Sequence, residues 1–446
     1  MRLLAEIFLF MGIFFPLYHI CNIIFTLNKK SPMAKNKNRP ISILIPCYNE
    51  EKIIKNTIEG LLRIEYNNYE CIFINDGSND KTLNVMKKIL KLRKIKRKKR
   101  HKLNSKYPKQ IYKSELYPHM YVIDKKNGGK SDALNIGINY SINDYIVTLD
   151  ADSILKADAL ALASPFFDNP DVVAVSGIIQ ILQSFKLHKN KDDTTLKINW
   201  LLKLQTIEYI KSCFCYKTSL AKLRSLLVIS GAFGFFRKDI LLAVNGFDHV
   251  VGEDLNLTLK IQFHIQDSNK KIIYVPDAIC YTEGPETFKD YMEQRKRWQK
   301  SFIESLFSFR KNIFNVVFTR AIPFFMIIDA LLLGVLSSLI IIIFSFLIIT
   351  CIINNNLSHV LIYFLIFITV HFLYNIISFG IAYYYGIKYK GMDFVRIILT
   401  VILDILIYRI VILYTIIVGT ISYFTDKKGW NRVNRSGRDY NVLKKG

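Results

Sequence analysis

Residues Tyr121–Asp152, YVIDKKNGGKSDALNIGINYSINDYIVTLDAD, carry the features around which the rest of the chain is arranged. A short apolar run, Tyr121 to Ile123, leads into a Gly-Gly-Lys turn. Asp132, Ala133, Leu134 and Asn135 then open a helical pattern, and a second apolar run, Tyr145 to Leu149, ends in Asp150-Ala151-Asp152. Strand side chains alternate with a period of two, so a strand that stops at two carboxylates one residue apart would present both on one side. Acids so placed can hold a hard divalent cation, and such a cation carries a diphosphate. The same pair also occurs as plain turn residues, so its weight comes from its surroundings.

The chain has 446 residues, is 51% apolar and carries a formal charge of +25. That is too long for one small domain and too apolar for a wholly soluble protein. Long apolar runs lie at the two ends, which leaves the middle as the soluble part. In Leu3 to Leu27 the polar interruptions of note are Glu6, His19 and Asn22, and no small-residue cleavage pattern follows; an uncleaved anchor over residues 1–28 is expected. The cluster Lys29, Lys30, Lys35, Lys37 and Arg39 should stay cytoplasmic. The remaining basic excess lies beside apolar spans and in Lys87 to Lys106, without a nucleic-acid fold signature. An anionic membrane surface and an anionic nucleotide explain it better, and nucleic acid is not an expected partner. Seven cysteines are scattered and only Cys213 and Cys215 are close, which suits a reduced interior.

From Ile41 the pattern is strand-like. Ile41 to Ile45 ends in Pro46-Cys47-Tyr48-Asn49-Glu50, and a helical pattern follows through Ile53, Ile54, Ile58, Leu61 and Leu62. A second strand, Tyr69 to Ile74, closes in Asn75-Asp76-Gly77-Ser78-Asn79-Asp80 before another helix from Thr82. Strand and helix in alternation predict a parallel α/β sheet with ligands at the carboxyl ends of its strands. Asp76 then sits where a base or ribose could be read, although a turn Asp before Gly77 explains it equally. Lys87 to Lys106 reads as a helix tail and a basic loop on a solvated or lipid-facing surface. Lys130 beside two glycines suits a diphosphate. Asp158 to Phe167 reads as helix and Val172 to Leu182 as strand.

Gln205, Glu208 and Tyr209 fall in a helical pattern, with a core-facing role as plausible as a sugar contact. In Ser230 to Arg237, SGAFGFFR, small residues and aromatics could receive a carbohydrate, or form a packed strand. Gly252-Glu253-Asp254 opens a helix; its acids could be capping groups, or Asp254 a catalytic base at an exposed element end. Gln294-Arg295-Lys296-Arg297-Trp298 lies on a basic helix, suited to clamping phosphate and stacking on a sugar, or to anchoring at a membrane surface.

Three apolar blocks follow. Ala321 to Ile353 runs to the uncharged Asn354-Asn355-Asn356 loop, Leu361 to Ile387 returns to Lys388 and Lys390, and Phe394 to Phe424 is broken by Arg396, Asp404 and Arg409. A single crossing by the third block would strand the basic tail outside, so an interfacial helix or a tight membrane hairpin is expected there. Glu6, Asp329 and Asp404 could line a translocation path, be paired inside or sit at the membrane interface.

Taken in order, Asp76, Gly128-Gly129-Lys130, Asp150-Ala151-Asp152, Gly252-Glu253-Asp254 and Gln294-x-x-Arg297-Trp298 resemble the motifs of membrane-embedded, processive family-2 glycosyltransferases. The branch they most resemble is that of the poly-β-1,6-N-acetylglucosamine synthases, related to hyaluronan, chitin and cellulose synthases. The resemblance runs from about Ile41 to the tail. It implies a cytoplasmic GT-A domain of α/β class over residues 39–300, interfacial and transmembrane helices over 301–425 and a basic cytoplasmic tail over 426–446. It further implies a multi-pass plasma-membrane protein, a UDP-sugar donor and Mg²⁺ or Mn²⁺.

By position, the resemblance implies that Asp76 contacts uridine and Lys130 the nucleotide, that Asp150 binds nucleotide and Asp152 the metal, and that Asp254 is the general base of an inverting transfer. Gln294, Arg297 and Trp298 would hold the diphosphate and the end of the growing chain, with Glu253 also on the acceptor side. Trp430 and Arg435, in GWNRVNRSG, resemble a segment that closes over the donor. The partners implied are the donor, a growing polysaccharide or lipid-linked acceptor, membrane lipids and, optionally, a small accessory membrane subunit. RWQKSF, with Ser301 after the Arg-Trp motif, is closer to hyaluronan or chitin-oligomer synthases, whereas SGAFGFFRK and CYTEGPET are closer to the poly-N-acetylglucosamine branch. Transfer of one sugar to a lipid carrier is one alternative. A non-enzymatic membrane scaffold or sugar-nucleotide sensor is another, and the intact Asp150, Asp152 and Asp254 count against it.

Overall fold

Ile41, Ile43, Leu44 and Ile45 are fully buried, as a strand covered on both faces requires. In the computed structural model, which describes residues 2–24, 39–188, 192–314, 321–327, 349, 353, 357–426, 437–440 and 442–443, they form β1 (Ile41–Cys47). The other strands are β2 (Tyr69–Asp76), β3 (Leu92–Ile95), β4 (Pro108–Ser114), β5 (Met120–Lys125), β6 (Tyr145–Thr148), β7 (Ser153–Leu155), β8 (Val172–Ile181), β9 (Phe185–Leu187), β10 (Asp192–Thr194), β11 (Gly234–Arg237) and β12 (Lys271–Thr282). Strands β9 and β10 form a small ribbon; the other ten form one mixed sheet, ordered β3-β4-β5-β2-β1-β6-β11-β8-β12-β7.

Strands β5, β2, β1 and β6 run parallel, with Ile43 beside Cys71 and Val147 on its two neighbours. Successive strands step outward from β1 to β2 to β5, and then β6 returns to the opposite side of β1. Such a reversal of strand order opens a crevice at the carboxyl ends, where Asn49, Asp76, Lys130 and Asp150 all lie.

Several expectations are refined. Strand β2 continues through Asp76, which is a buried strand residue and not a loop residue. Strand β6 stops at Thr148, so Asp150 and Asp152 do not share a face by strand alternation. They sit in the turn to β7, closed by the Ser153 N–H donating to the Asp150 carbonyl at 3.0 Å. Phe233, Phe235 and Phe236 are buried, and Phe235 packs on Phe167 and Tyr145; these aromatics are core. The basic run after Lys87 includes edge strand β3, and Arg97 is pinned by Glu70 at 2.5 Å with its guanidinium over Tyr121.

The chain divides into two units. One comprises Ser31–Asp193, Leu226–Gly284 and Asn434–Gly446 and contains the large sheet; the other comprises Met1–Lys30, Thr194–Ser225 and Pro285–Val433. In the second unit, Phe364–Tyr384 and Met392–Thr425 are long and apolar enough to cross a membrane. Their exposed large side chains are apolar, including Leu365, Ile376, Leu399, Ile410 and Ile421, whereas His371, Asn375, Ser378, Thr400 and Asp404 are buried. This inverts the pattern of a water-soluble helix and matches what lipid demands. Asp404 is paired inside with Lys211.

Met392–Thr425 is continuous through a π-turn at Asp404–Tyr408, so of the interfacial helix and the tight hairpin expected there, the hairpin does not form. The N-terminal segment forms a helix of 23 residues, Arg2–Ile24. Most of the Ala321 to Ile353 block, the Asn354–Asn356 loop and Asp329 lie outside the described residues.

The tail belongs with the sheet. Asn56, on the helix Ile54–Leu62, donates its amide to the Arg438 carbonyl at 2.8 Å and accepts the Tyr440 N–H at 3.3 Å. Lys55 pairs with Asp439 at 2.8 Å, and Val442 is fully buried. Because the Lys55 pair is solvent-exposed, the Asn56 bonds and the Val442 burial hold the tail. Removing two such bonds costs about 1–2 kcal/mol, so Asn56→Ala should speed hydrogen exchange in the 437–443 peptide about 5- to 30-fold without altering exchange in β1. Unchanged tail exchange would mean that the Asn56 bonds do not hold it.

Candidate active site

The site begins with a buried ammonium. Lys125, the last residue of β5, has no solvent exposure and lies between two carboxylates, Asp76 and, at 2.6 Å, Asp132. Burying a lysine is costly unless it is paired, and two acids meet that need here. Asp76 also accepts the N–H groups of Gly128 at 2.9 Å and Gly129 at 2.8 Å, while Asp132 accepts the Lys106 N–H at 2.9 Å. The two Asp76 bonds fix the Gly128-Gly129 turn that leads into Lys130. Gly129 has φ +87°, in the left-handed region, and a Cβ built there would meet nothing within 4 Å, so the turn is open on its outer side. Asp76, assigned by position to uridine, therefore anchors the turn that presents Lys130.

Lys130 starts the helix Lys130–Tyr140, and its ammonium reaches Asp150 Oδ1 at 2.7 Å and Glu253 Oε1 at 2.8 Å. Burial alone would lower the pKa of this ammonium, but Asp150, Glu253 and Asp254 outweigh that effect and hold it raised. It stays cationic throughout the physiological range. Asp254, in the first turn of the helix Glu253–Ile265, accepts the Gly231 N–H at 3.3 Å and the Leu255 N–H at 2.8 Å. Asp152 is nearly buried and receives the Ser153 hydroxyl at 3.2 Å. The pKa of the buried Cys280 thiol is raised by burial and then by the nearby charges of Asp150 and Asp152. The turn after β6 and the first turn of the helix Glu253–Ile265 thus bring Asp150, Glu253 and Asp254 around one cation, leaving the site net acidic.

Among the described residues no group of three or more His, Cys, Asp or Glu side chains could hold a metal ion alone. Magnesium commonly takes only one or two carboxylates and completes its shell with phosphate and water. The hard oxygen donors Asp150 and Asp152 fit that arrangement.

Gln294, Arg297 and Trp298 belong to the helix Phe288–Ser308 of the other unit and share a face of it, at i, i+3 and i+4. The Gln294 Oε1 atom is buried without a protein partner among the described residues, and Trp298 is exposed. Trp430 and Arg435 lie outside the described residues. Lys125 and Asp132 were missed in the sequence as site-building residues, because a lysine in a basic stretch carries no sign that it will be buried. Gly231, read in SGAFGFFR as a small residue that could receive a carbohydrate or pack in a strand, lies beside the Lys130 cluster: a Cβ there would be 2.9 Å from the Lys130 ammonium and 3.6 Å from Glu253.

The profile of glycosyl transferase family 2 matches residues 42–244, and that of glycosyl transferase family group 2 matches residues 145–421, more than half the chain. The chain belongs to glycosyl transferase family group 2. It is a glycosyltransferase with the GT-A fold. It is similar to the poly-beta-1,6-N-acetyl-D-glucosamine synthase of Staphylococcus epidermidis, at 29% identity over 409 residues covering 87% of each chain. It is also similar to the enzyme of that name from Staphylococcus aureus strain COL, at 29% identity over 72% of this chain and 67% of the relative. A mannosyltransferase from Pyrobaculum calidifontis, solved with GDP-Man and Mn²⁺, shares the fold at TM-score 0.56 and 15% identity, over 95% of this chain and 99% of its own.

As a glycosyltransferase of this group, the protein should depend on Lys125 and Gly231 in different ways. Lys125→Met leaves two buried carboxylates without a counter-ion and should cost about 3–5 kcal/mol of stability, read as a large fall in the thermal unfolding midpoint of the detergent-solubilised protein. Gly231→Ala should leave that midpoint nearly unchanged, since the flexible Lys130 can move aside. Sugar transfer should nevertheless fall by about 10- to 100-fold, because the cation has left Asp150 and Glu253.

Proposed function

We propose that the protein is an inverting synthase that uses a UDP-sugar, UDP-N-acetylglucosamine foremost, to extend a β-linked polysaccharide at the membrane and to pass the chain across it. The observation that carries this reading is the convergence of Lys130 with Asp150, Glu253 and Asp254 at the carboxyl edge of the parallel strands. The choice of sugar is supported by relatives that are poly-N-acetylglucosamine synthases at 29% identity over most of the chain.

In this reading the Asp76-anchored turn receives the nucleotide, with Asp76 beside the uridine, Asp150 on the nucleotide and Lys130 facing the diphosphate. Asp150 and Asp152 hold Mg²⁺ or Mn²⁺, which when bound offsets the negative charge of the diphosphate. Asp254 takes the proton of the acceptor hydroxyl. The freed oxygen attacks the anomeric carbon as the bond from that carbon to the diphosphate oxygen breaks, so an α-linked donor gives a β-linked product and UDP leaves. Lys130 and Arg297 meet the charge that gathers on departing UDP. Glu253, Gln294 and Trp298 hold the acceptor.

We place the sheet unit in the cytoplasm of a multi-pass cell-membrane protein. The described tail, residues 437–440 and 442–443, returns to that unit, which implies an even number of crossings after Gly284.

The reading is tested with the full-length protein in detergent, Mg²⁺ or Mn²⁺ and a panel of UDP-sugars, measuring UDP release and product size. UDP-N-acetylglucosamine alone should give UDP release and a long product, and chelation of the metal should stop both. Asp254→Asn should lower release by about 10²- to 10⁴-fold while UDP still binds. Release by Asp254→Asn at the unaltered rate would remove Asp254 from the reaction. A product with one added sugar would replace polymer synthesis with transfer to a carrier. In sealed vesicles, tags after Gly446 and within residues 98–106 should be cut from the same side; cleavage from opposite sides would contradict the topology.

A further inference from the structure

Glu208 has no part in the transfer described above, yet it meets the helix that carries Gln294, Arg297 and Trp298. It stands on Trp200–Lys211 and receives a two-pronged hydrogen bond from Arg295, Nη1 to Oε1 at 2.5 Å and Nη2 to Oε2 at 2.7 Å. The second oxygen also accepts the Tyr408 hydroxyl at 2.7 Å, and Tyr408 in turn receives the Tyr291 hydroxyl at 2.9 Å. Both tyrosines are fully buried, packed with Leu201, Leu204 and Met292.

Tyr291, Arg295 and Trp298 lie four and then three residues apart, so they form one stripe along the helix. The Arg295 guanidinium sits over the Tyr291 ring at 4.8 Å and over the Trp298 ring at 4.5 Å. A carboxylate that grips both arms of a guanidinium fixes its plane, and a plane fixed between two rings fixes the outer ring. Tyr291 is locked by burial, whereas Trp298 is 40% exposed. The indole thus has one face covered by Arg295.

We infer that Glu208 and Arg295 are positioning residues that set the Trp298 indole as a fixed platform for the sugar at the end of the acceptor chain. This rests on the reading of Trp298 as part of the acceptor site. The inference concerns how firmly a chain end is held between successive additions, and therefore how many sugars are added before release. It leaves donor binding untouched, because neither residue is assigned to the nucleotide. Lysine can replace the charge of Arg295 but neither its fork nor its planar stacking. Tyr408→Phe keeps the packed ring and removes one of the three bonds to Glu208.

The experiment uses the full chain reconstituted in lipid nanodiscs, with UDP-N-acetylglucosamine and added acceptor oligosaccharides of defined length. It compares Glu208→Gln, Arg295→Lys and Tyr408→Phe with the unaltered protein. Glu208→Gln and Arg295→Lys should raise the acceptor KM about 3- to 10-fold, the worth of one aromatic stacking contact, and shorten the product in step, with donor KM unchanged. Tyr408→Phe should shift both in the same direction by less.

Acceptor KM and product length unchanged in well-folded Glu208→Gln and Arg295→Lys would overturn the inference. So would equal losses in donor KM, acceptor KM and thermal stability, since that is the pattern of a merely structural pair. Failure of the unaltered protein to elongate any acceptor would instead overturn the synthase reading on which the inference rests.

Discussion

One constraint underlies the site: an ammonium with no access to water must be neutralised where it lies. Lys125 meets that requirement with Asp76 and Asp132, and those two acids use their remaining capacity on the backbone of the neighbouring segments. The result is a glycine turn whose path is fixed by charge before any ligand arrives. Lys130 is the first side chain beyond that turn, and its position between Asp150 and Glu253 follows from the geometry behind it. A buried ion group of this kind is weak evidence of net stabilisation, but it is well suited to specifying one loop conformation among many.

The two units carry different chemistry. The sheet unit gathers acids and one cation at the carboxyl ends of parallel strands, the arrangement through which open α/β folds address nucleotides. The other unit reverses the usual distribution of polarity: Asp404, His371 and Asn375 lie inside while leucines and isoleucines face outward. Buried polar groups recur within it, and Arg295 with Glu208 forms a fork in which both partners are largely shielded from water. Fixed geometry is obtained in both units by the same means, a charged group held on several sides.

Much of this was legible in the sequence. Alternating strands and helices gave the α/β class, and the Gly-Gly-Lys turn, the acids that open the helix at Glu253 and the Gln-x-x-Arg-Trp motif were placed on the elements where the structure has them. The reason given for pairing Asp150 with Asp152 was incorrect, because β6 ends at Thr148, two residues before Asp150, and both acids sit in a turn where strand alternation does not apply. The aromatic run Phe233 to Phe236 illustrates a limit: packed-core and sugar-stacking residues use the same letters, and only burial separates them. Lys125 and Glu208 illustrate another. Their roles depend on partners 49 and 87 residues away, Asp76 and Arg295, and no local pattern encodes such a pairing. The continuous Met392–Thr425 helix was missed because Arg396, Asp404 and Arg409 look like breaks until Asp404 is seen paired inside.

The central claim is that the acids gathered on Lys130 form the centre where the sugar is transferred. A crystal structure with UDP and Mn²⁺, with the metal located by its anomalous scattering, tests it most directly. The expected result is manganese bound by Asp150 and Asp152, with the diphosphate against Lys130. Manganese and UDP bound elsewhere, with Lys130 still held between Asp150 and Glu253, would contradict the account.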